Sequence, residues 1–151
     1  DAPHWYGEAR ETGAIARTAA HPIVAGAQAA WGRALGARVV ARLVDLALAL
    51  QSLTDDGVSR HGAARAGEGA GLGWVETARG LLLHRAEVAK GVVTGYRIVA
   101  PTEWNFHPRG AFARGALGIA APDAAALERE VRWLVASLDP CVGIRLEIGH
   151  A

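Results

Sequence analysis

From Ile23 onward, apolar residues recur at intervals of three and four: Ala27, Ala30, Trp31, Ala34 and Leu35, then Val39, Leu43, Leu46, Leu50 and Leu53. That spacing lays one apolar stripe along an α-helix and commits this part of the chain to a long amphipathic rod. Gly32 and Gly36 are the places where the rod would break. Arg33, Arg38, Arg42 and Asp45 fall mostly on the other face, the ordinary position of solvated charge. Thr54-Asp55-Asp56-Gly57 supplies a stop signal. Whatever fold the chain adopts must deal with that stripe.

A second helix is predicted over residues 123–138, opened by Ala121-Pro122-Asp123 with proline tolerated in the first turn. Its buried side is Leu127, Val131, Leu134, Val135 and Leu138. Residues 81–88 and 92–99 are rich in branched and aromatic side chains and flank Ala89-Lys90-Gly91, the pattern of a β-hairpin. Ile144-Arg145-Leu146-Glu147-Ile148 alternates and reads as a short final strand. Residues 104–118 read as irregular, with a turn at Pro108-Arg109-Gly110, and residues 1–20 as a loosely held terminus in which Trp5 and Tyr6 pin a surface. The glycines of residues 57–73 lack both the Lys-Ser/Thr ending of a phosphate loop and a preceding strand, so nucleotide binding is rejected and the stretch reads as a flexible connector. The fold class expected is α+β, long helices packed with a small antiparallel hairpin or sheet in a single domain over residues 1–151.

Sixteen basic against fifteen acidic residues, with no basic block, leave no electrostatic footprint for nucleic acid. No uncharged apolar run reaches the roughly 18 residues of a membrane span. The chain contains no methionine, which points to a processed product or a piece of a longer protein, its C-terminal part. One cysteine excludes an intrachain disulfide and any site built from several thiolates of this chain, and it suits a reducing, cytoplasmic setting.

That cysteine stands in Ser137-Leu138-Asp139-Pro140-Cys141, where Pro140 ends the helix and presents Cys141 just beyond it. Two stretches accompany it: Glu76-Thr77-Ala78-Arg79-Gly80 at the start of the hairpin, and Val99-Ala100-Pro101-Thr102-Glu103-Trp104-Asn105 at its end. The hairpin brings both to one end of a rigid element, a natural place for a site. Each residue also has a plain structural reading. Cys141 packs as a small hydrophobe, Arg79 pairs with Glu76, Thr102 caps a turn, and Trp104 and Asn105 stiffen their loop. His84 bonds within the hairpin, Arg109 forms a structural pair, and Asp139 fixes the segment around Cys141. A cysteine hydrolase would need His84, His107 or His150 to reach Cys141.

Taken together, these stretches resemble the nickel–iron hydrogenase large subunits. Residues 76–80, with His84, are similar to the family's Glu-x-Pro-Arg-Gly; residues 99–105, with Pro108-Arg109, to its Pro-Ser/Thr-Thr-Trp-Asn…Pro-Arg-Asp; and residues 137–141 to its C-terminal Ser-Phe-Asp-Pro-Cys. Residues 36–42 are similar to a helix of the same fold. The resemblance implies the fold of the C-terminal part of a large subunit. It also implies that Cys141 is a bridging thiolate on an iron carrying carbonyl and cyanide, that Arg79 faces one cyanide, and that Pro101 and Thr102 receive the other. A planar guanidinium and a hydroxyl are apt partners for metal-bound cyanide, and a thiolate suits iron.

The departures direct the functional expectation. A catalytic large subunit continues Asp-Pro-Cys-x-x-Cys-x-x-His, whereas here Ile144 and Glu147 occupy the last two places. Ala78 replaces the proline before the arginine, and the family's other Cys-x-x-Cys is missing. Four thiolates hold nickel in the active enzyme and one is present here, so the expectation is no nickel, no hydrogen turnover and no tightly bound cofactor. Retained cyanide-facing residues without nickel thiolates are similar to the HupK/HoxV group of hydrogenase maturation proteins. That similarity implies a non-enzymatic scaffold holding an Fe(CN)2CO unit transiently, with maturation proteins and a hydrogenase large subunit as partners and a second thiolate supplied from elsewhere in the parent chain. Two alternatives stand beside it: a degenerate catalytic subunit, and a metal-free interaction module like the related component of respiratory complex I, which lacks the Pro-Thr-x-Trp-Asn and Asp-Pro-Cys stretches.

Overall fold

The computed structural model describes residues 2–53 and 60–149. Helices α1 (Ala14–Arg17), α2 (Pro22–Trp31) and α3 (Leu35–Gln51) come first. Strands β1 (His61–Arg65), β2 (Ala70–Thr77), β3 (Gly80–Ala89) and β4 (Val92–Val99) form one antiparallel sheet in the order 1-2-3-4. Helices α4 (Pro101–Asn105), α5 (Ala111–Ala116) and α6 (Ala124–Leu138) follow. This is the α+β architecture expected.

The first rod is two helices, broken at Gly32 (φ +61°), whose N–H still donates to Gln28 O at 2.8 Å. Gly36 lies inside α3, where a Cβ would come within 3.1 Å of the Trp31 ring. The stop at Thr54-Asp55-Asp56-Gly57 lies outside the described residues.

The orientation of α3 overturns the expectation. Leu43, Leu46 and Leu50 are 63%, 57% and 58% exposed, whereas Arg38 and Asp45 are buried. The core of this region is small: Ala14, Ile15, Val24, Ala27, Ala37 and Ala41. Alanines allow α1 and α2 to approach α3 closely, and the inward charges are neutralised by specific partners. Arg38 Nε donates to Glu11 Oε1 at 2.7 Å, and Arg17 grips Asp45 through Nε (3.2 Å) and Nη2 (2.5 Å). Paired in this way, buried charge is tolerated.

Three further expectations are corrected. Residues 61–65 and 70–77 are strands rather than a connector. Their glycine content hides the pattern because Gly62 lies under the Trp74 indole, where a Cβ would sit 2.7 Å from Nε1. Residues 104–118 contain the end of α4 and the whole of α5. Pro101 takes the first helical position of α4, and Ala100 N–H donates to the Glu103 carboxylate at 2.6 Å. Residues 144–148 form no strand, since alternation alone provides no neighbouring edge to pair with.

The hairpin of β3 and β4 is as expected and turns on Lys90 (φ +51°) and Gly91 (φ +77°), both left-handed as a two-residue hairpin turn requires. Helix α6 also matches, except that Asp123 is its cap, accepting from Ala126 N–H at 2.7 Å, so Pro122 stands before the helix. Among the described residues no helix is long and apolar enough to cross a membrane.

Candidate functional site

Three chain reversals converge. The first joins β2 to β3. Thr77 Oγ1 accepts from the N–H groups of Arg79 (3.3 Å) and Gly80 (3.2 Å) and donates to Gly80 O at 2.9 Å. This hydroxyl turn throws the Arg79 side chain outward, 49% exposed. The second is the entry from β4 into α4, which buries Pro101 and sets Thr102 half-buried in the first turn. The third is the end of α6. Asp139 adopts φ +48°, a left-handed conformation that aspartate tolerates, and its N–H returns to Val135 O at 3.2 Å. Pro140 then prevents any continuation, and Cys141 emerges exposed.

Cys141 lands on Thr102. Its N–H donates to Thr102 Oγ1 at 3.1 Å, and the same oxygen lies 2.9 Å from Sγ. The hydroxyl oxygen accepts the N–H with one lone pair, and either the hydroxyl or the thiol can donate in the contact with sulfur. Arg79 joins through Asp139, with Nε 3.4 Å from Oδ2. It does not pair with Glu76, whose carboxylate accepts from Arg17 Nη1 at 2.8 Å. Thus Thr102 touches Cys141, and Arg79 meets the same turn at Asp139, two residues before the cysteine, while Pro101, next to Thr102 in sequence, is buried.

Among the described residues neither His84 nor His107 pairs with Cys141, whose hydrogen bonds go to Thr102. His84 Nδ1 is 2.5 Å from Tyr96 OH across the hairpin. His107 is buried, with Nδ1 accepting from Arg109 N–H at 2.9 Å and its ring edge-on to His4 at 4.7 Å. Burial, then His4, Arg109 and Arg114, hold His107 below the usual imidazole range. Arg109 Nη2 donates to His4 Nε2 at 2.8 Å, a structural pair. His150 lies outside the described residues. Trp104 and Asn105 are buried, and Asn105 Oδ1 accepts from Thr12 N–H at 2.9 Å.

Behind the corner lie residues that the sequence reading placed in a loose terminus or on a solvated face. Glu11 has a 2% exposed side chain held by Arg38 and Arg33, and Arg38 Nη1 donates to Ser137 Oγ at 3.2 Å. Arg42 Nη2 donates to Ser137 O at 2.6 Å. Arg38, Arg42, Arg79, Asn105, Ser137 and Asp139 line a cavity of about 20 Å³, room for about one water. The one sequence signal for this was the spacing of Arg38 and Arg42, four apart on one helix face. Nearby, burial alone would raise Asp45, but Arg17 and Arg60 outweigh it and hold the carboxyl below its ordinary value; burial would lower Arg17, but Asp45 and Glu76 hold it above.

The corner offers one soft ligand, the Cys141 thiol, beside the Thr102 hydroxyl, and the Arg79 guanidinium, ion-paired to Asp139, makes no side-chain hydrogen bond among the described residues. Such a set suits an anionic, hydrogen-bond-accepting group held by one metal–sulfur bond. Among the described residues no cluster of three or more His, Cys, Asp or Glu side chains is arranged to hold a bare metal ion.

The sequence model of the family described as "Nickel-dependent hydrogenase" matches residues 12–144. The hydrogenase expression/formation protein HoxV of Cupriavidus necator is 40% identical over 99% of this chain and 40% of its own length. The hydrogenase expression/formation protein HupK of Rhizobium leguminosarum bv. viciae is 38% identical over 99% of this chain and 41% of its own. The hydrogenase-2 large chain of Escherichia coli K12 is 30% identical over 56% of this chain and 16% of its own. The chain therefore spans about two fifths of the length of the expression/formation proteins it matches.

Proposed function

Because the chain belongs to the nickel-dependent hydrogenase family, we propose that it serves hydrogenase maturation as a non-catalytic scaffold that receives an Fe(CN)2CO unit as cargo. Cys141 supplies the thiolate that holds the iron, Arg79 donates to one cyanide, and Thr102, backed by Pro101, donates to the other. The observation that carries this reading is the Thr102 Oγ1–Cys141 Sγ contact of 2.9 Å beside Arg79, in a chain with one cysteine. A lone thiolate cannot supply the four-sulfur nickel site of the catalytic family, whereas a single metal–sulfur bond plus hydrogen bonds gives a hold that can be released. Matches along almost the whole chain to proteins named for hydrogenase expression and formation support the same reading. The partners are the maturation proteins that make the unit and the large subunit that takes it, met in the cytoplasm.

Thr102 must do two things in this scheme. Its hydroxyl oxygen lies against sulfur in the unloaded corner, and its proton turns to a cyanide when iron occupies the thiolate. The exchange replaces one hydrogen bond by another and keeps the loop in place.

Infrared spectroscopy tests the proposal on protein purified without oxygen from cells expressing the hydrogenase assembly machinery. Cyanide and carbonyl absorptions that disappear in Cys141→Ala are expected. Their absence from wild-type protein that still co-purifies with maturation proteins would instead support an interaction module without metal, a reading favoured by the exposed leucines of α3.

A further inference from the structure

Four consecutive positions near the start of the chain are tied to all three reversals, to two directly and to the third through Arg38. Glu11 binds Arg38 through both carboxylate oxygens, Nε to Oε1 at 2.7 Å and Nη2 to Oε2 at 3.3 Å, and Arg38 reaches Ser137 Oγ at the end of α6. Thr12 N–H donates to Asn105 Oδ1, which ties this segment to α4, the helix that carries Thr102. Thr12 Oγ1 accepts from Leu81 N–H at 2.8 Å, directly after Arg79-Gly80. Gly13, at φ +109°, presses on the same turn, where an added Cβ would stand 3.0 Å from Arg79 O. In return Gly80, at φ +135°, leaves room for Thr12, since a Cβ there would be 2.5 Å from Thr12 Cγ2. Ala14 starts α1 and joins the core.

The geometry points to residues 11–13 as a positioning strap that sets where Cys141, Thr102 and Arg79 stand relative to one another. None of the three reversals can fix that relation alone. Each is a local turn on a different element, and they are separated by many residues in sequence. The strap removes the freedom by bonding Leu81 and Asn105 directly and the end of α6 through Arg38. Glu11 is its anchor. Its carboxylate neutralises the buried Arg38, and this allows α3 to hold the end of α6, Arg38 on Ser137 Oγ and Arg42 on Ser137 O and Ala136 O. The Ala136 and Ser137 carbonyls belong to the last helical turn and carry partial negative charge, and Ala136 O also accepts from the capping Asp139 N–H at 3.3 Å. With Glu11 neutral, Arg38 is a buried cation without a counter-charge, and turning toward solvent releases Ser137 and the αL turn that aims Cys141 at Thr102.

This inference concerns how the corner is built and does not depend on what occupies it. The chain's one cysteine makes the test direct, because alkylation by iodoacetamide, followed by mass spectrometry, reads Cys141 alone. Thr102→Val, which deletes the oxygen on Cys141, defines the reference change in alkylation rate. Glu11→Gln, in protein that still melts cooperatively, is expected to change the rate in the same sense by about five-fold, the worth of about one hydrogen bond. The double variant Glu11→Gln/Thr102→Val is expected to match Thr102→Val alone, because a strap that acts by seating Cys141 on Thr102 has nothing left to seat. Ser137→Ala, which removes only the oxygen between Arg38 and α6, is expected to shift the rate in the same sense by less, and it serves if Glu11→Gln does not fold. A lowered melting temperature with alkylation within about two-fold of wild type, or a rate change fully additive with Thr102→Val, would overturn the strap and leave Glu11 as a stabilising residue only.

Discussion

Arg17 is the residue whose loss the structure prices most clearly. One guanidinium binds Asp45 through Nε and Nη2 and Glu76 Oε2 and Thr77 O through Nη1, so it joins α1 to α3 and to the end of β2. The side chains of Arg17 and Asp45 are 14% and 12% exposed. Arg17→Met keeps the length of the stem and deletes the charge, which leaves two carboxylates facing each other with one remaining cation. Breaking a buried pair from one side costs about 3–5 kcal/mol. Arg60, 3.1 Å from Asp45 and 37% exposed, returns roughly 1 kcal/mol of that, the worth of a half-exposed pair. The expected loss is about 3 kcal/mol, read by urea denaturation, or about 9 °C in melting temperature for a domain of this size. The pH dependence gives a second readout. Asp45 in the folded chain titrates below its ordinary 3.8, so the stability it contributes is present above that pH and is lost as pH falls through the depressed value. Arg17→Met is expected to flatten that acid limb. A loss below about 1 kcal/mol, or an acid limb unchanged in the variant, would refute the claim that this network holds the sheet to the helices.

Two smaller predictions follow from the same geometry. Gly80→Ala is expected to cost about 2–4 kcal/mol in urea denaturation, because the new methyl meets Thr12 at a backbone conformation that alanine resists; a cost below about 0.5 kcal/mol would mean that residues 11–13 do not lie against this turn. Leu46→Lys, on the outward face of α3, is expected to change stability by no more than about 0.5 kcal/mol, and a loss above about 2 kcal/mol would show that the stripe is buried in the chain as it stands.

How far the sequence reveals this molecule depends on the range over which each feature is decided. The αL aspartate before Pro140, the Lys90-Gly91 turn and Pro101 at the head of α4 are settled by the residues themselves, and the corresponding hairpin and α6 stand where the pattern puts them. The face of α3 is not settled locally. Period and composition show two faces, one of leucines and one of Ala37, Arg38, Ala41 and Asp45, and the apolar one reads as buried by habit. The choice is reversed because Glu11, Arg17 and Ser137, from 27 to 99 residues away, offer partners to the polar face. The same reason separates the site's residues from its construction. Arg79, Thr102 and Cys141 are visible as motif residues because their turns are local. Glu11 and Thr12 are ordinary polar residues in an unpatterned stretch, and only their distant partners distinguish them. A corner assembled from three turns needs a fourth segment to set their spacing, and that segment carries no chemistry by which sequence alone could mark it.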